Sequence, residues 1–139
     1  MGNRKSHERG MKTRRATLGD EWVDRAAANM TPFNEEFQEL ITRYAWDEIW
    51  NRPRISRKVR RMIVIAQTLA LGHWEEFQLH LGAALRSGDL DSDDVKEILL
   101  QSMVYCGVPA ANHAFKDARA VIASLGEAKP APKTPKKRR

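Results

Sequence analysis

Cysteine occurs once in the 139 residues, at Cys106, so no disulfide can form within the chain. No apolar run approaches the roughly 20 residues that a membrane-spanning helix needs. The opening residues, Met1-Gly2-Asn3-Arg4-Lys5-Ser6, lead into no apolar stretch, so a secretory leader is not expected. Strand-like alternation of apolar and polar residues is missing, and no internal repeat is evident. These absences set aside a disulfide-stapled secreted module, a membrane protein and a repeat array. They leave a single cytoplasmic domain of modest core, built from helices.

What charge there is of one sign is confined to one end. The formal net charge is +6. Lys129, Lys133, Lys136, Lys137, Arg138 and Arg139 supply six positive charges with no acid among them, leaving 18 basic and 18 acidic residues in positions 1–128. The body of the chain is formally neutral, and no dedicated nucleic-acid binding is expected of it. Residues 127–139, with three prolines and no large apolar side chain, read as a disordered basic tail, and residues 1–7 as a loose N-terminus.

Between these ends, residues 8–126 read as helices separated by caps. The first covers about 6–18, and Asp20 is placed to cap a second over 21–29. Thr31-Pro32 reads as an N-cap followed by proline at the first helical position. The helix it opens runs to about Trp50, with Phe33, Phe37, Leu40, Ile41 and Tyr44 at helical spacing as its core stripe. Ser56 caps a helix ending near Gly72, apolar nearly all round at Met62–Ala66 and so expected at the centre. His73–Ser87 closes at Gly88, and Asp91 caps 92–106. Pro109 starts a last helix with the stripe Ala111, Ala114, Phe115, Ala118, Val121, Ile122 and Leu125. The fold class is an all-α bundle of six to seven helices.

Three places could carry chemistry. His73, Glu76 and His80 share one side of a helix, bordering the apolar stripe Trp74, Phe77, Leu81, Ala84 and Leu85. A carboxylate and an imidazole one turn apart suit acid–base work, with Glu76 orienting the His80 ring and raising its pKa. The same spacing also occurs on solvated helix faces, where it contributes only about 0.2–0.5 kcal/mol. A metal would need a ligand from elsewhere, such as His113. Second, Gly107-Val108-Pro109-Ala110-Ala111-Asn112 leaves helix N-terminal N–H groups accessible beside a side-chain amide, or is simply a helix start. Third, Arg43, Trp46, Trp50 and Arg52 gather guanidinium groups and indoles; arginine suits carboxylates, while core packing with solvated arginines is the plainer reading. Cys106 reads as a buried spectator thiol.

At these residues the chain resembles the carboxymuconolactone decarboxylase family. The likeness is carried by Phe37–Trp46 with Ile49, Trp50, Arg52 and Pro53; by Leu69–Gly72 with Trp74–Phe77 and His80; and by Tyr105–Phe115. It runs from about residue 8 to 125. Arg54 stands where the family pattern has glycine, and His73 where it has arginine. The resemblance implies an alkylhydroperoxidase-D-like fold, a homo-oligomer expected to be a hexamer, and a place in the protocatechuate branch of aromatic catabolism. The implied activity is decarboxylation of 4-carboxymuconolactone, a lactone dicarboxylate, to 3-oxoadipate enol-lactone and CO2, with no cofactor. It also implies His80 as proton donor with Glu76 as its partner. Asn112 and the Pro109 helix start would hold a lactone oxygen. Arg43 or Arg52 would anchor the spectator carboxylate, with Trp46 and His73 completing the pocket.

Two other readings compete. Peroxidase-type relatives of the fold carry Cys-x-x-Cys-x-x-x-His, where this chain has His73-x-x-Glu76-x-x-x-His80; a thiol peroxidase also needs a resolving thiol that Cys106 alone does not supply. A helical module whose tail holds anions by mobile charge is the non-enzymatic alternative.

Overall fold

The computed structural model describes residues 2–126 and is helical throughout apart from short connections. In chain order the elements are α1 (Gly2–Leu18), α2 (Asp20–Ala28), α3 (Glu35–Ile41) continuing into a π-helical segment (Thr42–Ile49), α4 (Arg57–Leu71), α5 (Trp74–Ser87), α6 (Ser92–Cys106) and α7 (Val108–Gly126). The all-α expectation holds. The basic tail expected over 127–139 lies outside the described residues.

Local chemistry accounts for most boundaries. The Ser56 hydroxyl accepts from the Val59 N–H at 3.2 Å and opens α4. Asp91 and Asp94 form a reciprocal capping box at the start of α6. Gly72 and Gly88 end α4 and α5 in the left-handed conformation, at φ 68° and 76°, where a Cβ is disfavoured.

Several expectations are corrected. The N-terminus over 1–7 is not loose where it is described: α1 begins at Gly2, and Ser6 and Arg9 donate to the Asp47 carboxylate at 2.7 and 2.8 Å. Asp20 is the first residue of α2 rather than its cap; Gly19 precedes it. The helix expected from Pro32 starts only at Glu35, because the Thr31 N–H is taken up by the Asn34 side-chain oxygen at 2.7 Å, closing a turn. From Thr42 that helix changes to i→i+5 bonding, and the Trp50 N–H still reaches the Ala45 carbonyl at 2.9 Å. Its supposed core stripe largely faces outward: Phe33, Phe37, Leu40 and Tyr44 are exposed, and only Ile41 packs inward.

Two apolar clusters organise the interior. The larger joins α4 to α7 through Ile65, Leu69, Phe77, Leu81, Leu99 and Ala114. The smaller joins α1, α2 and the π segment through Leu18, Val23 and Trp46, with Trp22, Trp50 and Leu79 against it. Helix α5 contributes to both, so it runs along their seam. Close contact between α1 and the π segment depends on Gly10, where an added Cβ would overlap the Thr42 carbonyl oxygen.

Candidate active site

His80 projects from α5 into the seam and is 5% exposed. Its ring stacks with Trp46 at 6.3 Å and Trp50 at 6.0 Å between centroids, with interplanar angles of 21° and 13°. The two indoles are themselves 5.0 Å apart. They stand four positions apart, and the π-helical turn brings both onto one imidazole. The Glu76 carboxylate lies 3.7 Å from His80 Nε2, too far for a hydrogen bond, and its side chain is largely exposed. Nδ1 of His80 is buried without a hydrogen-bond partner. An orphaned buried group of this kind costs about 1–3 kcal/mol.

Burial pushes the His80 pKa down to about 4, and the nearby Arg61 charge pushes the same way. The expectation that Glu76 raises this pKa is therefore corrected. The ring is neutral at pH 7 in the unliganded protein, because desolvation outweighs a carboxylate that faces solvent.

Two arginines that the sequence reading missed frame the site. Arg61 is fully buried, yet donates to Asp89 at 2.7 Å and to the Thr17 carbonyl at 2.8 Å. Arg14 is 6% exposed, and its partners are neutral: the Gln38 side-chain oxygen at 3.0 Å and the Thr42 hydroxyl at 3.5 Å. It lies over the Trp22 ring at 5.4 Å. Burial lowers its pKa, opposed by the Glu76 charge. Helical phase carried a signal for both. Arg61 shares a stripe with Ile65, Thr68 and Leu69, and Arg14 shares one with Gly10, Thr17 and Leu18. Arginine on a helix ordinarily reads as solvated, which hid them.

Of the sequence-derived residues, the fold gathers His80, Glu76 and Trp46. The others are elsewhere. Arg43 is half-buried on the π segment. Arg52 is exposed in the following turn, its carbonyl accepting from Arg60 at 2.9 Å. His73 is exposed at the N-cap of α5. Asn112 is exposed in a groove between α6 and α7 lined by Val95, Leu99, Phe115 and Ile122. Among the described residues none of these four makes a hydrogen bond, ion pair or ring contact with His80 or Glu76. His113 stacks on Trp74 at 3.8 Å and pairs with Asp117 at 3.2 Å, away from the pair it was weighed as joining. Among the described residues no three His, Cys, Asp or Glu side chains gather as a metal site. Cys106 is half-buried beside Tyr105 in a groove between α4 and α6.

The fold and site define a class: an all-α bundle with a buried imidazole beside a carboxylate where redox relatives would need paired thiols. Comparison with known proteins then identifies the chain as a member of the carboxymuconolactone decarboxylase family, whose model matches residues 35–120. It is 38% identical to a 4-carboxymuconolactone decarboxylase of Acinetobacter baylyi over 91% of this chain and 93% of that protein. It is 36% identical to the nitrosuccinic acid decarboxylase npaB of Metarhizium robertsii, over 78% of this chain and 75% of that one. A 4-carboxymuconolactone decarboxylase of Pseudomonas putida is 49% identical over 32% of this chain, which is 94% of that sequence. Among the described residues no helix is long and apolar enough to cross a membrane.

Proposed function

We propose that the protein decarboxylates 4-carboxymuconolactone to 3-oxoadipate enol-lactone, with His80 delivering the proton. The observation that carries this reading is the buried His80 ring, stacked by Trp46 and Trp50 with Glu76 alongside, in a chain similar over 91% of its length to a protein of that activity.

The reaction asks little of the protein. The departing carboxylate sits on a ring carbon conjugated to the lactone carbonyl. When the C–CO2 bond breaks, its electron pair flows through the ring to the carbonyl oxygen, giving a dienolate. Protonation of the α-carbon completes the product, and the net reaction consumes one proton. The substrate is its own electron sink, so the residues need only bind it, stabilise the oxyanion and supply the proton. A neutral imidazole is a poor acid, and the substrate corrects that. Its two carboxylates bring negative charge to a poorly solvated ring, favouring the imidazolium. Glu76 then has a cation to partner. The stacked indoles keep water from the dienolate and leave the departing carboxylate without a strong counter-charge that would stabilise the ground state.

The large apolar side chains left exposed on a single chain, among them Phe33, Leu71, Val104 and Tyr105, support a homo-oligomer, with the hexamer as the form implied by the family. Location in the cytoplasm accords with a catabolic enzyme of this kind. Arg43, Arg52, Asn112 and His73 would reach substrate only by way of such an assembly.

The reading is tested by measuring CO2 release from 4-carboxymuconolactone without added metal, in wild type, His80→Ala and Glu76→Gln. The expected result is a fall in kcat of about 100-fold or more for His80→Ala and a smaller fall for Glu76→Gln. Near-normal turnover in both folded variants removes the assignment.

A further inference from the structure

We propose that Arg14 is the group that binds the spectator carboxylate of the substrate, in the small cavity it lines between α1, α2 and α3. The proposal rests on the decarboxylase reading above, and names a charged anchor within the single chain.

The first argument is the comparison of two buried arginines. Arg61 has its counter-charge, Asp89, at 2.7 Å. Arg14 is nearly as buried, yet among the described residues no carboxylate lies within ion-pair distance of it. Its hydrogen bonds go to an amide oxygen and a hydroxyl, and its Nε has no partner. A guanidinium taken out of water without a counter-ion is strongly destabilising, so a chain that retains one has a use for the unspent charge.

The second argument is the space. Arg14 lines a cavity of about 130 Å³ together with His7, Met11, Val23, Gln38 and Thr42. That is room for a carboxylate and its methylene. The one acid in its wall, Glu39, has a carboxylate oxygen 2.9 Å from His7 Nδ1 and forms no ion pair with Arg14. Gln38 and Thr42, which now hold Arg14, are neutral groups that an incoming carboxylate outcompetes, since charge-assisted bidentate pairs are the stronger.

The third is position. Arg14 stands over Trp22, which packs in the same cluster as Trp46, the ring stacked on His80. The Glu76 charge is felt at Arg14. A carboxylate held on Arg14 therefore tethers a substrate beside the acid–base pair. Helix α1 also lies outside the stretch matched by the family model, residues 35–120, whereas the similarity to the Acinetobacter decarboxylase extends into α1.

The test compares wild type, Arg14→Met and Arg14→Lys on 4-carboxymuconolactone and on its analogue with the spectator carboxylate blocked as a methyl ester. Loss of a charge-assisted bidentate contact should raise KM for the diacid roughly 30-fold or more in Arg14→Met, and less in Arg14→Lys. On the ester, all three proteins should have KM values within about threefold of one another, because the contact is absent from every complex. A KM for the diacid unchanged in both variants overturns the proposal. So does an equal rise on diacid and ester, which would mark a structural role. Should wild type release no CO2 from the lactone, the underlying reading fails. Arg14 is then judged by thermal shift with succinate: stabilisation of wild type but not of Arg14→Met upholds an anion site, and equal shifts or none reject it.

Discussion

Gly10→Ala tests the joint on which the site hangs. In an ordinary helix interior, alanine is favoured over glycine by up to about 1 kcal/mol. At Gly10 the sign should reverse. The added Cβ would overlap the Thr42 carbonyl oxygen, and would stand 3.0 Å from the Thr42 carbonyl carbon and 3.3 Å from the Asp47 nitrogen. All three are backbone atoms, so no side chain can swing aside. Restoring ordinary contact requires α1 and the π segment to part by more than about 1 Å. Overpacking of that kind typically costs 1–3 kcal/mol, and the helix gain offsets only part of it, so we expect a net loss of about 2 kcal/mol. At about 3–4 °C per kcal/mol for a chain of this size, Tm should fall by roughly 6–8 °C. The damage should also reach the chemistry. Displacing Thr42 and Asp47 moves the turn that carries Trp46 and Trp50, and with it the stacking that holds His80. Gly82→Ala is the control: the nearest atom to its added Cβ, at 3.1 Å, is the end of the flexible Arg86 side chain, so stability should hold or rise slightly. Thermal melts followed by circular dichroism, with kcat on the same preparations, decide the matter. A Gly10→Ala protein as stable as Gly82→Ala, with undiminished turnover, would refute the close approach of α1 to the π segment.

Two further predictions concern the proton on His80. Its folded pKa of about 4 lies below the ordinary value of 6.5, so between these values the unfolded chain holds a proton that the folded one does not. Stability should therefore fall as pH drops from about 6.5 to 4, by on the order of 3 kcal/mol in all. Urea titrations across this window should show the slope in wild type and a flatter line in His80→Phe; equal slopes would show that the ring is not the titrating group. Binding of an unreactive dicarboxylate near pH 7 should take up protons, because the anion raises the His80 pKa, and affinity should weaken as pH rises. Calorimetry in buffers of different ionisation enthalpy measures the uptake, and an uptake unchanged in His80→Phe would locate the proton elsewhere.

Legibility followed the range of the interactions involved. Ser56, Gly72, Gly88 and Asp91 act within a few residues of themselves, and the boundaries they signal are where the helices begin and end. The start of α3 was misplaced because Asn34 competes locally for the Thr31 N–H, a bond that Pro32 had made easy to overlook. Phe33, Phe37, Leu40 and Tyr44 are periodic, but periodicity does not say what covers a face, and on a single chain nothing described covers theirs.

The amino-acid sequence by itself determined an all-helical chain, the positions of most caps, the absence of a thiol pair, the family, and the imidazole–carboxylate pair one turn apart on α5. These rest on local hydrogen bonding, helical spacing and matched residue patterns, all properties of neighbours along the chain. Only the tertiary structure decided that His80 is buried beside two indoles and neutral, that α1 is anchored through Asp47, and that Arg14 and Arg61 are interior cations. Burial and electrostatic environment are set by elements distant in sequence. A side chain's charge cost, and so its chemistry, is not defined until those elements close over it.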